Sequence, residues 1–196
     1  LSHLGDPAAA SRIEPLLKDA DAGVRASAAH SLASLKAPGA GKAIATLLSD
    51  GEKQVRIDAL KALGELGDRA QTQTIAACLA DESTGVRMAA IHALADLDDP
   101  TSVPDLVALL DHENRDIRYH ATKALQKMEA VETAPRLKRL LMDQQPIVRT
   151  GAASTLGSFQ DRSAIPDLAR LLTDTPFVRG AAAKAIREII EEKWSD

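Results

Sequence analysis

The chain has almost nothing with which to staple itself, cross a membrane or grip a polyanion. There is one cysteine, Cys78, in 196 residues, so no disulfide forms within the chain. A reducing compartment suits that usage, and cytoplasmic placement is the expectation. Aromatic residues make up 2% of the sequence, as one Trp, one Tyr and two Phe. The core is therefore aliphatic and rich in Ala. No apolar run approaches the ~18 residues a membrane-spanning helix needs, so no membrane span is expected. The formal net charge is −4, which argues against nucleic acid as the main partner, since that usually shows as a basic domain. No Ser sits in a nucleophile elbow. Gly39-Ala40-Gly41-Lys42 is too short, and lacks the preceding strand, to be a phosphate-binding loop.

What the chain does have is a period. A turn of an Asp, three to five residues and then (Val/Ile)-Arg recurs at Val24-Arg25, Val55-Arg56, Val86-Arg87, Ile117-Arg118, Val148-Arg149 and Val178-Arg179. The pairs are 31, 31, 31, 31 and 30 residues apart, and a strict period in this range marks a repeat array. After each Arg, apolar residues follow at offsets of four, four and three, as in Val86, Ala90, Leu94 and Leu97. That spacing puts them on one face of an α-helix. The second column is Ala in all six copies (Ala28, Ala59, Ala90, Ala121, Ala152 and Ala182), which predicts close helix approach. Before each turn lies a shorter pattern at i, i+3, i+4, such as Ile44-Leu47-Leu48 and Leu137-Leu140-Leu141, and this is a second helix. Cys78 occupies a Leu position of that pattern and reads as a small buried hydrophobe.

Each repeat is thus a short helix, a tight turn and a longer helix. The expected boundaries are 7–37, 38–68, 69–99, 100–130, 131–161 and 162–196. Gly67-Asp68 and Asp98-Asp99-Pro100 punctuate them, Gly closing one helix and Asp then Pro opening the next. Pro15 falls late in its helix and is expected to kink it. Pro104, Pro135 and Pro166 share an earlier column, where a first helix begins or bends. Residues 1–6 match Leu63 to Asp68 in pattern and read as the stub of a preceding helix, as in a piece of a longer protein. The sixth repeat's second helix ends in a charged run through Trp194, read either as a polar cap or as the lead into a further segment.

The turn, the Ala column and the Ala62-Leu63-Gly64-Glu65-Leu66-Gly67 ending resemble HEAT repeats, specifically the short bacterial type known as PBS-lyase HEAT-like repeats. The resemblance covers essentially the whole chain. It implies one all-α domain, a right-handed α-solenoid of six HEAT-like hairpins plus an N-terminal half-repeat stub. The Asp and Arg columns are expected to be structural, the Asp capping the second helix and the Arg reaching carboxylates and loop carbonyls of its own or the next repeat. Deoxyhypusine hydroxylase resembles this family but requires His-Glu pairs near the start of several second helices. Here those positions read Ala26-Ser27, Ile57-Asp58, Met88-Ala89, Tyr119-His120, Thr150-Gly151 and Gly180-Ala181, so no metal, cofactor or catalytic residue is expected.

The resemblance also implies that the second helices line the concave side, with the columns two, three and six after Val open to a partner. Ile57, Met88 and Tyr119 then form an apolar strip, edged by Lys61, His92, His120 and Lys123. Lys61–Glu65, His92–Asp96 and Lys184–Glu188 are expected as i,i+4 pairs. The expected function is a non-catalytic scaffold or adaptor, whose partner is another protein or another region of the parent chain. Similar repeats form subunits of phycobilin lyases, so a bilin-linked role stands as the alternative, although no residue here specifies a bilin. Nucleic-acid binding is a third reading, supported only by the Lys/His column.

Overall fold

The computed structural model describes residues 7–191, and among these every regular element is helical. The expected stub at residues 1–6 and the charged tail from Glu192 through Trp194 lie outside the described residues. The chain divides into two compact units, Leu1–Ser102 and Val103–Asp196. Each holds three helical hairpins. In the first unit α1 (Pro7–Ile13) precedes α2 (Ala22–Leu35), α3 (Ala40–Ala45) precedes α4 (Lys53–Leu66), and α5 (Thr72–Ala77) precedes α6 (Thr84–Leu97). In the second, α7 (Val103–Ala108) precedes α8 (Arg115–Lys127), α9 (Ala134–Leu140) precedes α10 (Pro146–Ser158), and α11 (Ile165–Arg170) precedes α12 (Pro176–Glu191). Within each unit successive second helices pack side by side: α2 on α4 on α6, and α8 on α10 on α12.

The first helices are short and most end by tightening into a 3-10 turn, as at Glu14–Lys18, Thr46–Ser49, Cys78–Ala80, Leu109–Asp111 and Leu171–Thr173. Pro15 lies in the first of these. The same tightening occurs in repeats with no proline there, so the repeat geometry, not Pro15, ends the α-helix. Pro104, Pro135 and Pro166 each sit second in their helix, where the missing N–H has no intrahelical partner to lose. The Ala column is buried in every repeat, with Ala59, Ala90, Ala121, Ala152 and Ala182 at 0% exposure. No larger side chain fits between the packed helices.

The turns are joined by a ladder of guanidinium–carboxylate forks. Arg25 donates from Nε and Nη2 to the two carboxylate oxygens of Asp50 at 2.7 and 2.8 Å. Arg56 does so to Asp81 at 2.9 and 2.9 Å. In the second unit Arg118 grips Asp143 at 2.8 and 2.9 Å, and Arg149 grips Asp174 at 2.8 and 2.7 Å. Each Arg also donates from Nη1 to carbonyls of its own turn, as Arg56 does to Asp50 O at 2.9 Å. One side chain therefore ties its own turn to the turn of the next repeat. Such bidentate, charge-assisted pairs are stronger than neutral hydrogen bonds. Arg87 is different: it donates to Asp81 O, Glu82 O and Thr84 Oγ1, but its buried Nε has no acceptor.

The ladder Asp does not cap the second helix, contrary to the expectation. That position belongs to the residue two further on, for example Asp21, which accepts from Val24 N–H at 3.0 Å, and Asn114, which accepts from Asp116 N–H at 2.8 Å. The ladder Asp holds the turn before the cap. Asp50 accepts from Glu52 N–H at 2.9 Å and Asp81 from Ser83 N–H at 2.8 Å. At position 112 a histidine does this work, Nδ1 accepting from Asn114 N–H at 3.0 Å. The reason is geometric: a carboxylate turned toward the previous repeat's Arg cannot also reach into the first turn of the helix that follows.

A second register emerges at the far end of the second helices. Lys36, Gly67, Asp98, Glu129 and Gln160 all have positive φ, between 48° and 73°. They are 31 residues apart. Each is where a second helix must reverse, and the left-handed conformation ends it. Only Gly67 takes that conformation without the Cβ penalty.

Three outcomes follow for stability. Arg56→Ala removes one partner of a nearly buried pair and should cost about 2–3 kcal/mol, against about 1 kcal/mol for Arg87→Ala, which loses only turn hydrogen bonds. Urea unfolding of both variants decides this, and equal losses would contradict it. The carboxyls of Asp50 and Asp174 are lowered chiefly by Arg25 and Arg149. In Asp81 and Asp143 burial pushes the carboxyl up, but Arg56 and Arg118 together with backbone N–H groups outweigh it, and both titrate low. A depressed folded value stabilises above the unfolded carboxyl range, near ~3.9, and that stability disappears as pH falls through the folded value. Melting temperature should therefore drop steeply below about pH 4, and a flat acid profile would show that the rungs contribute nothing. Finally, Gln160→Gly should raise stability by about 0.5–1 kcal/mol by removing the Cβ from a left-handed residue; a loss in calorimetry would mean that the Gln160 backbone is relaxed.

Candidate functional surface on the second helices

The ladder engages four of the six recurring arginines in forks. The chemistry left over lies on the face of the second helices that does not pack on the first helices. In the first unit this face carries Ile57 and Lys61 on α4, with Met88 and His92 on α6. Ile57 and Met88 are half-buried, whereas Lys61 and His92 are exposed. Ile57 spends part of its surface on the neighbouring repeat: a Cβ added at Gly85 would stand 3.4 Å from its Cδ1. Lys61 pairs with Asp58 at 3.2 Å, not with Glu65 as expected. Glu65 lies 3.8 Å from His30 on the preceding helix. Lys184 and Glu188 do pair, at 3.4 Å.

In the second unit α8 carries Tyr119, His120 and Lys123, all half-buried. The Tyr119 ring lies over α10, and a Cβ at Gly151 would meet its Cδ2 at 3.0 Å and Cε2 at 3.2 Å. Gly151 is therefore the seat of an aromatic ring. His120 meets Tyr119 edge to face, with ring centroids 5.4 Å apart and planes at 74°. Lys123 reaches Gln126 Oε1, and Gln126 in turn donates to Ser158 Oγ at 3.0 Å. Burial first, and then the charge of Lys184, hold the Lys123 ammonium below the usual lysine range.

Two exposed residues of this face escape a reading that starts at the Val column. Phe177 is 86% exposed and Ile147 is 44% exposed. Each stands one residue before Val, in Pro146-Ile147-Val148-Arg149 and Pro176-Phe177-Val178-Arg179. They lie three residues, almost one turn, ahead of the column that contains Tyr119, Thr150 and Gly180. The signal was present as two bulky apolar residues in a column that is otherwise Gly, Gln, Gly and Asp. At Gly180 an added Cβ would meet nothing within 4 Å, so the surface beside Phe177 is open.

Elsewhere the residues with chemical promise serve the fold. Cys78 is buried, its Sγ faces Thr74 O at 3.8 Å, and burial pushes its thiol up. Gly41, from the short Gly-rich stretch, lies where the Asp68 carboxylate comes so close that no Cβ fits. Among the described residues no group of three His, Cys, Asp or Glu side chains is arranged to hold a metal ion. None of the described helices is long and apolar enough to cross a membrane. A cleft of about 570 Å³ opens between two turns of the second unit, lined by Leu110, Leu140 and Met142 and walled by the Arg118–Asp143 rung.

Comparison with known proteins agrees with this geometry. The family model described as HEAT repeats matches residues 41–126 and 103–187. Together these span 41–187, which is 147 of the 196 residues. No curated protein matches the chain. Among solved structures, an engineered protein superimposes with a TM-score of 0.67 at 21% identity, over 92% of this chain and 96% of that one. The complex of CpcE and CpcF of phycocyanin lyase from Nostoc sp. gives a TM-score of 0.67 at 26% identity, over 88% of this chain and 74% of that one. A designed armadillo repeat protein in complex with the peptide (KR)4 gives 0.61 at 19% identity, over 91% and 98%. These likenesses share an all-α helical-repeat solenoid fold. With stacked hairpins, a buried Ala column and family-model matches over three quarters of its length, the chain belongs to the HEAT repeat family.

Proposed function

We propose that this protein is a non-catalytic scaffold or adaptor that binds another protein, or another region of its own parent chain, through the exposed face of its second helices. One observation carries the reading. The ladder, the Ala column and the buried thiol are spent on the stack, whereas Ile57 and Met88 in the first unit, with Lys61 and His92, and Tyr119 in the second, with His120 and Lys123, are only half-buried or exposed. Apolar surface rimmed by polar groups is the anatomy of a protein-binding patch, and Tyr is favoured at the energetic centre of such patches. The designed armadillo neighbour, whose complex holds a peptide, supports the same use of the fold.

The likeness to the phycocyanin lyase complex favours a second reading, a role on a tetrapyrrole-carrying protein. Absorbance and fluorescence on mixing with free bilin separate the two readings. A scaffold leaves both spectra unchanged.

The scaffold reading is tested with a triple variant, Ile57→Ser, Met88→Ser and Tyr119→Ser. Because Ile57 and Tyr119 also touch neighbouring repeats, helicity and cooperative unfolding are checked first. The expected result is loss of the native partner in pull-down, with affinity reduced about a hundredfold by removal of central apolar contacts. Retention of the partner at unchanged affinity by a folded variant would refute this placement.

A further inference from the structure

Resting on the reading that the second helices carry the partner, the geometry of the second unit points to the chemistry of that partner. Helices α8, α10 and α12 lie side by side. Tyr119 sits over Gly151 between the first two. Between the last two, the approach at Gly157 is so close that an added Cβ would stand 2.8 Å from Ala185 Cα. Helical spacing puts Phe177, Gly180 or Ala181, and Lys184 on one face of α12. The same spacing aligns Ile147, Thr150 or Gly151, and Ser154 on α10, and Asp116, Tyr119 or His120, and Lys123 on α8. The resulting surface has a neutral floor of small residues on α10, with bulky apolar side chains toward the helix N-termini and a lysine on each flanking helix.

Phe177 is the most exposed large hydrophobic residue of the described chain, at 86%, and Ile147 adds a second at 44%. Exposed apolar side chains grouped on one face, rather than scattered singly, suit a surface that a partner covers. After burial, the charge of Lys184 is the second cause that holds the Lys123 ammonium low. Lys184 has one carboxylate neighbour, Glu188 at 3.4 Å, and Lys123 is turned to an uncharged amide, Gln126. Asp116, the other charge on this face, is exposed and lies 3.5 Å from Arg115. On this face α10 itself contributes no charged side chain, and the Glu188 carboxylate that reaches over α10 at Gly157 is paired with Lys184. A carboxylate brought there is attracted from both sides.

We propose that the α8–α10–α12 face docks an acidic peptide segment, which buries an apolar side chain against Phe177 and Ile147 and sets a carboxylate between Lys123 and Lys184. The small residues Thr150, Ser154 and Gly180 leave room for the peptide backbone beside the Tyr119 ring, which covers Gly151. On a protein whose overall charge is negative, this local reversal of sign gives selectivity and speeds encounter more than it adds affinity.

The test is selection of a displayed random-peptide library on the intact protein, followed by fluorescence anisotropy with the enriched peptides. The expected winners carry Asp or Glu near an aliphatic or aromatic residue, and their binding weakens with salt. Phe177→Ser and Lys184→Glu should each reduce affinity by about tenfold or more, the loss typical of a hot-spot residue. Both residues are exposed, so the variants fold, and unchanged melting confirms it. Winners that are basic, a selection that yields none, or binding indifferent to both variants would overturn the proposal. An Ile57→Ser, Met88→Ser variant of the first unit separates this outcome from failure of the broader reading. If peptide binding survives Phe177→Ser but is lost there, the second-helix face holds and this placement fails. If it survives both, both fail.

Discussion

The fork between one repeat's arginine and the next repeat's aspartate sets the terms for everything else in this fold. Its guanidinium has five donors in a plane, and here they are divided between two tasks. Nη1 closes the turn it belongs to, while Nε and Nη2 reach the carboxylate of the following turn. The Asp is likewise held by its own backbone before the Arg arrives. Both partners are preorganised, so little side-chain entropy is lost on pairing. Lysine has no such fork and would satisfy one task at a time. The register follows: every rung joins residues 25 apart, so a residue inserted between a turn and the next first helix would break it.

The fold was legible because the forces that build it repeat. A period of 31, an Ala column and i,i+4 apolar spacing all report burial, and burial depends on side-chain volume and polarity, which a sequence states directly. The assignments that needed changing depended on direction instead. The ladder Asp and the true N-cap are two residues apart and both are polar; only the aim of the carboxylate toward the previous repeat distinguishes them. Lys61 had acceptors at i−3 and i+4, and it pairs with Asp58, while Glu65 lies nearer His30 on the preceding helix. The left-handed residues were the least readable. Of the four that are not Gly, only Asp98 is of a type that favours that conformation, and Lys36, Glu129 and Gln160 carry no signal for it.

The surface shows how a repeat protein separates support from recognition. A column buried in every copy belongs to the stack. A column whose residues change from copy to copy is released from that duty, and the position before Val, which runs from Gly23 to Phe177, is the clearest case. Some residues do both. Tyr119 fills the space left by Gly151 and keeps an outward edge, so its ring is already immobilised before anything docks. An anchor that is ordered in advance loses less freedom on binding.

Cys78 has a consequence of a different kind. It is the single thiol, it is buried near the middle of the chain, and burial holds it protonated. A thiolate-specific reagent reacts with it faster when the third hairpin opens. The rate of its alkylation, compared with that of an unfolded peptide, is therefore a clock for local opening. Nature has placed a reporter inside the wall of the repeat, and it reads the breathing of the stack without any label being added.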